Sequence, residues 1–323
     1  MDTVAWGIIG CGDVTEVKSG PALRKTANAS LVAVMRRDAG KARDYAERHG
    51  VPRWYDDAQA LIDDPEVSAI YVATPPDTHE VYTVAAARAG KPVLVEKPMA
   101  PDAAACRRMI DACARAGVPL FVAYYRRALP RFEAMRRLIQ SGAIGAPRVV
   151  SIRHFLREGQ MPAQPWKVDP TVNGGGFFVD MQSHTLDWLD HVFGPAEAAR
   201  GIAVHQAGRY AAEDAVSFSL RFGGGVIANG LCGYATAREE EGVTVYGSEG
   251  EVSMPFFRPG PLRLVTGTGE VCTEHPDPPH VHQPLIASVV AHLLGQGVCA
   301  STGESALRTT RVIDAILADL STR

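Results

Sequence analysis

The sequence VAWGIIGCGDVT, residues 4–15, runs from an apolar strand directly into a glycine-rich turn. The turn matches the pattern G-x-G-x-x-G/A, with Thr15 in place of the third small residue. Gly10 permits the tight turn, Gly12 lets the backbone approach a pyrophosphate, and the start of the following helix offers N–H groups to the anion. The predicted dinucleotide-binding residues of this turn are Gly10, Gly12, Asp13 and Val14.

The segment from residue 1 to about 125 alternates short apolar runs with helical patterns. The apolar runs cover residues 4–10, 31–35, 69–73, 93–96 and 119–123. Apolar strands that alternate with helices are typical of a parallel sheet covered on both faces. We therefore predict that residues 1–125 form an α/β domain with a doubly wound sheet, in which ligands bind at the carboxyl ends of the strands.

The hydrophobic pattern changes after the helical segment PRFEAMRRLIQSG (130–142). Apolar and polar residues then alternate with a period of two, which favours antiparallel strands. The alternating runs are RVVSIRHFL (148–156), AVSFSLRF (215–222), GVIANGLCGY (225–234), GVTVYG (242–247) and EVSM (251–254). Glycine-rich breaks at 223–225 and 247–250 predict hairpin turns, and helices are predicted near 177–193 and at 304–320. Residues 126–323 are thus predicted to form an α+β domain with a large, mainly antiparallel sheet.

Composition and charge are those of an ordinary globular protein. Of 323 residues, 46% are hydrophobic, and 33 Lys and Arg against 36 Asp and Glu give a formal net charge of −3. Without a basic excess, a nucleic-acid partner is not expected. No window approaches the roughly 18 uninterrupted apolar residues of a membrane helix, and no basic leader precedes the first strand. The six scattered cysteines are expected to be reduced thiols, so we predict a cytoplasmic protein without a membrane partner.

The end of the second apolar run carries Arg36 and Arg37, followed by Asp38. At this position an NAD site usually has a carboxylate for the ribose 2′-hydroxyl, whereas guanidinium groups suit the 2′-phosphate of NADP. In the alternative interpretation both arginines are solvated and Asp38 binds the ribose of NAD. We favour NADP, with Arg36 and Arg37 as cofactor-binding residues, and keep NAD as the alternative.

Two further strand ends carry residues that a buried strand does not require. The third run continues into ATPPDTH, which contains Thr74, Pro75 and His79, and the fourth continues into Glu96 and Lys97. Because the carboxyl ends of parallel strands share an edge, Lys97 is predicted to lie where cofactor and substrate meet. Partial withdrawal from water disfavours the charged form of an amine, which suits proton transfer near neutral pH. The alternative is a structural lysine that ends a strand and pairs with an acid.

Several motifs of the chain resemble those of the Gfo/Idh/MocA family, named for glucose–fructose oxidoreductase, inositol dehydrogenase and rhizopine catabolism. The matching segments are GIIGCGDVT (7–15), VATPPDTHEVYTVAAARAGKPVLVEKPMA (72–100), GGGFFVDMQSHTLDWLDHVFG (174–194), YGSEGEV (246–252) and TGESALRTTRVIDAI (302–316). They cover both predicted domains in order. The resemblance implies an N-terminal Rossmann domain for the dinucleotide and a C-terminal domain for substrate binding and oligomerisation.

The resemblance also implies roles for particular residues. In this family the lysine of the E-K-P motif is the catalytic acid/base, which assigns that role to Lys97. The family's D-x-x-x-H pair matches Asp180 and His184, which implies that His184 acts with Lys97 and that Asp180 binds or orients the substrate. Cofactor contacts are expected at Thr74, Pro75, Glu96 and Lys97 from their place at the strand ends. His79 is either a cofactor contact or a residue at the start of a helix, and the resemblance favours the cofactor contact.

Spacing alone leaves two other interpretations of Asp180 and His184. Residues four apart share a helical face, so the two form either an ordinary surface pair or, with a distant third ligand, a zinc site. The same spacing at Asp187 and His191 is interpreted as structural. We assign no metal, because neither H-E-x-x-H nor C-x-x-C occurs and the histidines of HPDPPHVH (275–282) have no ordered ligand spacing.

Four more residues are candidates for the substrate pocket: Tyr125 and Arg126 after the fifth run, and Trp166 and Lys167 before the glycine-rich turn. An aromatic plate with cationic donors suits a hydroxyl-rich ring, although Trp is also a common core residue. We predict an NADP-linked oxidoreductase of a sugar, polyol or related hydroxy/keto compound, which the resemblance implies is a homodimer or homotetramer. The alternatives are a non-catalytic NAD(P)-binding sensor and a redox-neutral NAD-dependent glycosidase of the same fold.

Overall fold

The computed structural model describes residues 2–160, 162 and 164–322. Its strands are β1 Val4–Ile9, β2 Ala29–Met35, β3 Arg53–Tyr55, β4 Ala69–Val72, β5 Val93–Val95, β6 Leu120–Val122, β7 Pro147–Arg157, β8 Ala196–Val204, β9 Ala215–Phe222, β10 Ile227–Thr236, β11 Glu240–Gly247, β12 Gly250–Met254, β13 Leu262–Thr266 and β14 Gly269–Thr273. Its α-helices are α1 Asp13–Val17, α2 Ser19–Lys25, α3 Ala39–His49, α4 Ala58–Asp63, α5 His79–Arg88, α6 Ala103–Ala116, α7 Pro130–Gln140, α8 Pro170–Asn173, α9 Ser183–Phe193, α10 Gln283–Leu293 and α11 Gly303–Leu317. A π-helical turn, Phe178–Gln182, leads directly into α9.

The chain forms two compact units. The first comprises the chain up to Tyr125 together with Pro278–Leu307, and the second comprises Arg126–Asp277 and the chain from Arg308 onward. Residues 278–307 were predicted to belong to the second domain, whereas in the structure this segment packs with the first unit. The reason is a long-range pairing beside β6, where Ser301 Oγ donates to the carbonyl oxygen of Val122 at 2.7 Å and Ser301 O accepts from the Val122 amide at 3.1 Å.

The first unit is built on a parallel sheet in the order β3-β2-β1-β4-β5-β6. Strands β4 and β5 are buried at every position, as expected for strands covered by helices on both faces. Five of these strands coincide with the predicted apolar runs, which confirms the doubly wound fold. Strand β3 was not predicted, because it is a three-residue edge strand with partly exposed side chains and no apolar run.

Helices α3, α4 and α6 each follow a strand and are fixed at the carboxyl edge of the sheet by a capping aspartate. Asp38, Asp57 and Asp102 accept hydrogen bonds from the amides three residues further on, which satisfies N–H groups that lack an intrahelical partner. Gly50 and Gly117 end α3 and α6 in the left-handed conformation. The capping aspartates determine where the loops at the ligand-binding edge end and the helices begin.

The second unit contains a sheet in the order β14-β13-β12-β11-β7-β10-β9-β8. Neighbouring strands are antiparallel except β7 and β10, which are parallel. Strand β9 alternates buried and exposed residues, so one face of the sheet is covered and the other is open. The mainly antiparallel sheet and its predicted strands are confirmed. Strands β8, β13 and β14 were missed; β14 is exposed at every position and therefore lacks alternation.

Candidate functional site

The glycine-rich turn after β1 allows a ligand to approach the backbone closely. Gly10 has a φ of +94°, and a Cβ atom there would lie 2.6 Å from Thr74 Cγ2 and 2.9 Å from the carbonyl oxygen of Ala73. At Gly12, the nearest atom outside its chain neighbours would be 4.0 Å from an added Cβ, so this stretch of backbone is open. Helix α1 begins here, and the N–H groups of a first helical turn have no intrahelical acceptor. These features fit a pyrophosphate group.

The close packing that the third small residue of this motif usually provides comes from a different glycine. Thr15 is fully buried, and its hydroxyl donates to the carbonyl oxygen of Gly12 at 2.7 Å. Gly20 in α2 makes the close contact, because an added Cβ would lie 2.2 Å from Thr15 O and 2.4 Å from the Tyr45 hydroxyl. The Tyr45 hydroxyl donates to Thr15 O at 2.9 Å. Gly20 and Tyr45 were not predicted, yet they support the turn from behind.

The end of β2 presents the two predicted arginines to solvent. Arg36 Nη1 donates to the carbonyl oxygen of Cys11 at 3.2 Å, so this guanidinium lies against the glycine-rich turn. Asp38 is used differently: it caps α3 by accepting from the Lys41 amide at 3.1 Å, and the Lys41 hydrogen bonds hold its pKa below its usual value. The group that lies against the glycine-rich turn is therefore the Arg36 guanidinium, while the Asp38 carboxylate caps α3.

Hydrogen bonds join the carboxyl ends of four neighbouring strands into one edge. The Gly10 amide donates to the carbonyl oxygen of Met35, the last residue of β2, at 2.9 Å. The Ala73 amide donates to Ile9 O at the end of β1 at 2.8 Å, and the Glu96 amide donates to Val72 O at the end of β4 at 2.9 Å. The glycine-rich turn, the loop with Thr74 and Pro75, and the E-K-P turn consequently lie in a row. Lys97 is thus on the same edge as the predicted cofactor-binding residues.

His79 connects the loop after β4 to the turn after β5. Its Nε2 atom lies 2.7 Å from the carbonyl oxygen of Thr74, and its Nδ1 atom lies 3.1 Å from Pro98 O and 3.2 Å from Met99 O. Burial lowers the pKa of His79, and the surrounding carbonyl oxygens oppose that effect. His79 is fully buried and is the first residue of α5, in agreement with the alternative interpretation of this residue.

The Glu96 carboxylate is the centre of a buried network at the E-K-P turn. Its Oε1 atom accepts from the Tyr71 hydroxyl and from His282 Nε2, the latter at 3.1 Å, and its Oε2 atom accepts from the Lys97 amide at 3.2 Å. Burial by itself raises the pKa of Glu96, but the hydrogen bond and charge of His282, with Tyr71 and Lys97, outweigh burial and bring the pKa to about 2. The carboxylate is therefore ionised at neutral pH. The Lys97 side chain is half-buried, and the Lys97–Pro98 peptide bond is cis.

His282 was missed as a functional candidate. It ends the HPDPPHVH run, which the sequence analysis noted only for its metal-binding potential. Its partner Glu96 lies 186 residues away in the chain, so no local spacing signals the contact.

In the second unit, the glycine turn 174–176 packs against a buried carboxyl group. A Cβ at Gly175 would lie 2.4 Å from Val179 Cγ2, so only glycine fits there. Glu213 is fully buried and accepts a hydrogen bond from the Gly176 amide at 2.8 Å. Burial raises the pKa of Glu213 to about 7. Glu213 therefore holds the turn that introduces the helix with the predicted catalytic pair.

Asp180 lies in the π-helical turn that follows, and this type of turn is frequent at functional sites. Its buried carboxylate lies 3.6 Å from the Lys167 ammonium group. The Lys167 ammonium group also lies 5.8 Å from the centroid of the Trp166 ring, and Asn173 Nδ2 donates to Lys167 O at 3.1 Å. The structure thus brings Asp180 next to the predicted pair Trp166 and Lys167.

His184 follows in the first turn of α9 and is buried. In the preceding turn, Gln182 Nε2 lies 2.8 Å from His154 Nδ1. Burial, with the charges of Arg258 and Arg126, lowers the pKa of His154 to about 4. His154 is therefore neutral near pH 7, and its Nδ1 atom accepts a hydrogen bond from the Gln182 amide. Neither Gln182 nor His154 was predicted, and both support the segment between Asp180 and His184.

Tyr125 and Arg126, both predicted to contact substrate, have extensive contacts inside their own units. The Tyr125 ring packs against the His282 ring with a centroid distance of 4.5 Å. Arg126 is buried and donates to the carbonyl oxygen of Phe256 at 2.7 Å. Its guanidinium also lies over the rings of Phe132, Phe256 and Phe257.

Asp187 and His191, interpreted as structural, lie further along α9. Asp187 is bound by Arg127 through two hydrogen bonds of 2.6 and 2.7 Å, and both side chains are buried. His191 Nε2 lies 3.5 Å from Glu133 Oε1. These contacts tie α9 to α7 and to the chain that precedes α7.

The part of the chain that the structure describes contains no group of three or more His, Cys, Asp or Glu side chains arranged to hold a metal ion. Within the same residues, no helix is long and apolar enough to cross a membrane.

Comparison with protein families agrees with this arrangement. A family model described as "Oxidoreductase family, NAD-binding Rossmann fold" matches residues 4–124, and the model of the GFO/IDH/MocA C-terminal domain matches residues 132–253. The chain belongs to the Gfo/Idh/MocA family. As a Gfo/Idh/MocA protein, it is an oxidoreductase with an NAD(P)-binding Rossmann domain.

Curated members of the Gfo/Idh/MocA family resemble this chain over nearly its whole length. Oxidoreductase P35 of Formosa agariphila is 34% identical over 318 residues, which cover 96% of this chain and 97% of the relative. The 1,5-anhydro-D-fructose reductase of Ensifer adhaerens is 32% identical over 308 residues, covering 93% and 91%. Among solved structures, aldose-aldose oxidoreductase from Caulobacter crescentus, complexed with glycerol, superposes with a TM-score of 0.89 at 28% identity, covering 99% and 98% of the two chains.

Proposed function

We propose that this protein is an NADP-linked oxidoreductase that transfers a hydride between the nicotinamide and a sugar, polyol or related hydroxy/keto compound. Lys97 and His184 act as its acid/base groups, and Asp180 binds or orients the substrate. Trp166 and Lys167 form part of the substrate site. The substrate class is supported by relatives named for sugar chemistry, the 1,5-anhydro-D-fructose reductase and the aldose-aldose oxidoreductase.

The observation that carries the proposal is the position of Lys97. The lysine is half-buried on the edge that bears the glycine-rich turn, and the backbone around it is fixed by Glu96 and His79. A catalytic group must be held in its working geometry, because a misplacement of about 1 Å costs about 100-fold in rate. An ordinary lysine at a strand end does not need such support.

The preference for NADP is supported by the end of β2. Arg36 lies against the glycine-rich turn and Arg37 is exposed beside it, while Asp38 is committed to capping α3. Guanidinium groups bind the 2′-phosphate of NADP through charge-assisted hydrogen bonds. The ribose 2′-hydroxyl of NAD is uncharged and does not form such bonds.

The residues of the chain contribute binding, orientation and proton transfer. When bound, the nicotinamide supplies the hydride chemistry. In the oxidation direction Lys97, with His184, removes the substrate hydroxyl proton; in reduction the same groups return it. Asp180, whose carboxylate lies 3.6 Å from the Lys167 ammonium group, accepts hydrogen bonds from substrate hydroxyls.

The proposal is tested with Lys97→Ala, and Lys91→Ala is the matched control. Lys91 is a half-buried lysine at the opposite end of β5, where its ammonium group donates to Asp64 O at 2.7 Å. We expect Lys97→Ala to lower kcat by about 10²- to 10⁴-fold with NADPH affinity retained, and Lys91→Ala to keep turnover. Near-normal turnover of Lys97→Ala on every substrate of a sugar and polyol panel contradicts the assignment.

The same panel separates the alternative functions. A sensor binds NADPH and sugar without any change in cofactor absorbance, and a redox-neutral glycosidase cleaves its substrate without net cofactor turnover. Either result removes the dehydrogenase assignment and leaves the dinucleotide-binding fold unaffected.

We also propose that the protein is a homodimer or homotetramer formed through the open face of the large sheet. Val149, Ile227 and Tyr246 are register neighbours on β7, β10 and β11, and they are between 41% and 47% exposed. Leu231 and Ile202 extend this apolar surface on the same sheet. Contiguous exposed apolar surface marks an interaction site. A monomeric mass by light scattering contradicts this part of the proposal.

A further inference from the structure

The last histidine of the HPDPPHVH run is placed inside the first unit. His282 immediately precedes α10 and is 1% exposed. Its Nε2 atom lies 3.1 Å from Glu96 Oε1, and its ring packs against the Tyr125 ring at a centroid distance of 4.5 Å. Its Nδ1 atom has no hydrogen-bond partner among the residues that the structure describes. The polar contact of this imidazole is therefore directed to Glu96.

The Glu96 carboxylate also contacts the backbone of Lys97. The second carboxylate oxygen of Glu96 accepts from the Lys97 amide at 3.2 Å. His79 also contacts this turn, with its Nδ1 atom 3.1 Å from Pro98 O and 3.2 Å from Met99 O. The backbone of the E-K-P turn is thus fixed at two points, and His282 contributes to one of them.

We propose that His282 is a positioning residue for Lys97: its imidazole keeps the Glu96 carboxylate ionised and oriented, and this carboxylate fixes the turn that carries the lysine. The inference rests on the proposed role of Lys97. Under this proposal the segment 278–307 supports the position of Lys97, because it brings His282 into the first unit.

The charged and titratable groups around Glu96 make the effect of His282 measurable. They are Tyr71 from β4, His79 from α5, Lys97 from the same turn and His282 itself. Burial is the strongest influence on the Glu96 carboxyl and favours its neutral form, and the contact with His282 is the strongest influence against it. Removing His282 removes the strongest influence that lowers the pKa of Glu96, so this pKa is expected to rise.

The experiment compares His282→Phe with His282→Gln. Phenylalanine keeps a ring against Tyr125 but cannot donate to Glu96, whereas glutamine keeps an N–H donor near the position of Nε2. His280→Gln is the control in the same run; its ring nitrogens contact the Lys25 ammonium group at 2.8 Å and Val17 O at 3.3 Å.

We expect His282→Phe to lower kcat about 100-fold, with the NADPH dissociation constant changed by less than about 3-fold. We expect His282→Gln to keep most of the turnover, as the control does. The pH profile of kcat should gain a new acid limb in His282→Phe only, because Glu96 then becomes protonated at a higher pH than in the wild type. A purely structural role for His282 does not produce this limb.

A second readout does not depend on activity. The low folded-state pKa of Glu96 stabilises the wild type above its ordinary value of 4.5, and this stabilisation is lost as the pH falls toward about 2. The difference in Tm between wild type and His282→Phe is therefore expected to be larger at about pH 7 than at about pH 4.

The outcomes separate the two proposals. If the Tm difference follows pH as described but the kcat profile of His282→Phe equals that of wild type, His282 binds Glu96 without positioning Lys97, and the inference is overturned. If the Tm difference is independent of pH, the Glu96 contact itself is refuted. Turnover retained in Lys97→Ala refutes the proposed function, whatever the His282 variants do.

Discussion

The substitution Glu213→Gln tests the buried carboxyl group that supports the glycine turn of the second unit. Glu213 is fully buried, its Oε1 atom accepts from the Gly176 amide at 2.8 Å, and its Oε2 atom has no hydrogen-bond partner among the described residues. Burial, with the charge of Asp214, raises the pKa of Glu213 from its ordinary value of 4.5 to about 7. Glutamine resembles the protonated acid: it keeps an acceptor for Gly176 and cannot ionise.

The magnitude follows from the pKa. The pKa of the Glu213 carboxyl is 4.5 in the unfolded chain and about 7 in the folded protein. Between these two pH values the folded state binds more protons than the unfolded chain. The folded state therefore loses stability as the pH rises from 4.5 to about 7. At about 1.4 kcal/mol per unit, the loss is on the order of 3 kcal/mol for the wild type. Glu213→Gln lacks this loss.

The assay is the free energy of unfolding of variant and wild type at about pH 5 and about pH 8. On going from about pH 5 to about pH 8, we expect the free energy of unfolding of the variant to increase relative to that of the wild type by on the order of 3 kcal/mol. The exposed Glu274, changed to Gln, is the control and is expected to leave the pH dependence of stability unaltered. Parallel stability curves for Glu213→Gln and wild type refute the reasoning, because they mean that Glu213 ionises as readily in the folded state as in the unfolded chain.

Two further variants test the cofactor edge. Replacing both Arg36 and Arg37 with Ala removes the groups proposed to bind the 2′-phosphate, so we expect the KM for NADPH to rise by about 10- to 100-fold while that for NADH changes little; equal effects on both cofactors contradict the NADP preference. Gly20→Ala places a methyl group 2.2 Å from Thr15 O and 2.4 Å from the Tyr45 hydroxyl. We expect a loss of about 1–3 kcal/mol in stability together with weaker dinucleotide binding, measured by thermal denaturation and cofactor titration, and an unchanged Tm shows that α2 shifts without cost.

The fold was largely predictable because its signals are local. Apolar runs such as Val93–Val95 mark buried parallel strands, and the alternation in Ala215–Phe222 marks a sheet with one open face. Two of the missed strands lack such a signal. Arg53–Tyr55 is a short edge strand, and Gly269–Thr273 is exposed at every position, so neither carries a hydrophobic pattern.

Site residues could be predicted only where a motif points to them. Lys97, Asp180 and the glycine-rich turn were predicted from motifs, whereas the buried contacts of Glu213 and His282 were not. Glu213 reaches the Gly176 amide across 37 residues and His282 reaches Glu96 across 186, so both contacts exist only in the folded chain. Sequence spacing reveals pairs on one helix, but it does not reveal pairs that the sheet order brings together.

The supports of the E-K-P turn come from three separate parts of the first unit. Tyr71 lies in β4, His79 begins α5, and His282 precedes α10. Local opening of a single loop leaves at least one support in place, since Glu96 and His79 bind the turn at different atoms. The backbone of Lys97 is therefore expected to be released only with the cooperative unfolding of the whole unit, unlike the loop tips of the same sheet edge. A lysine that merely ended a strand would instead be expected to fray with its own loop.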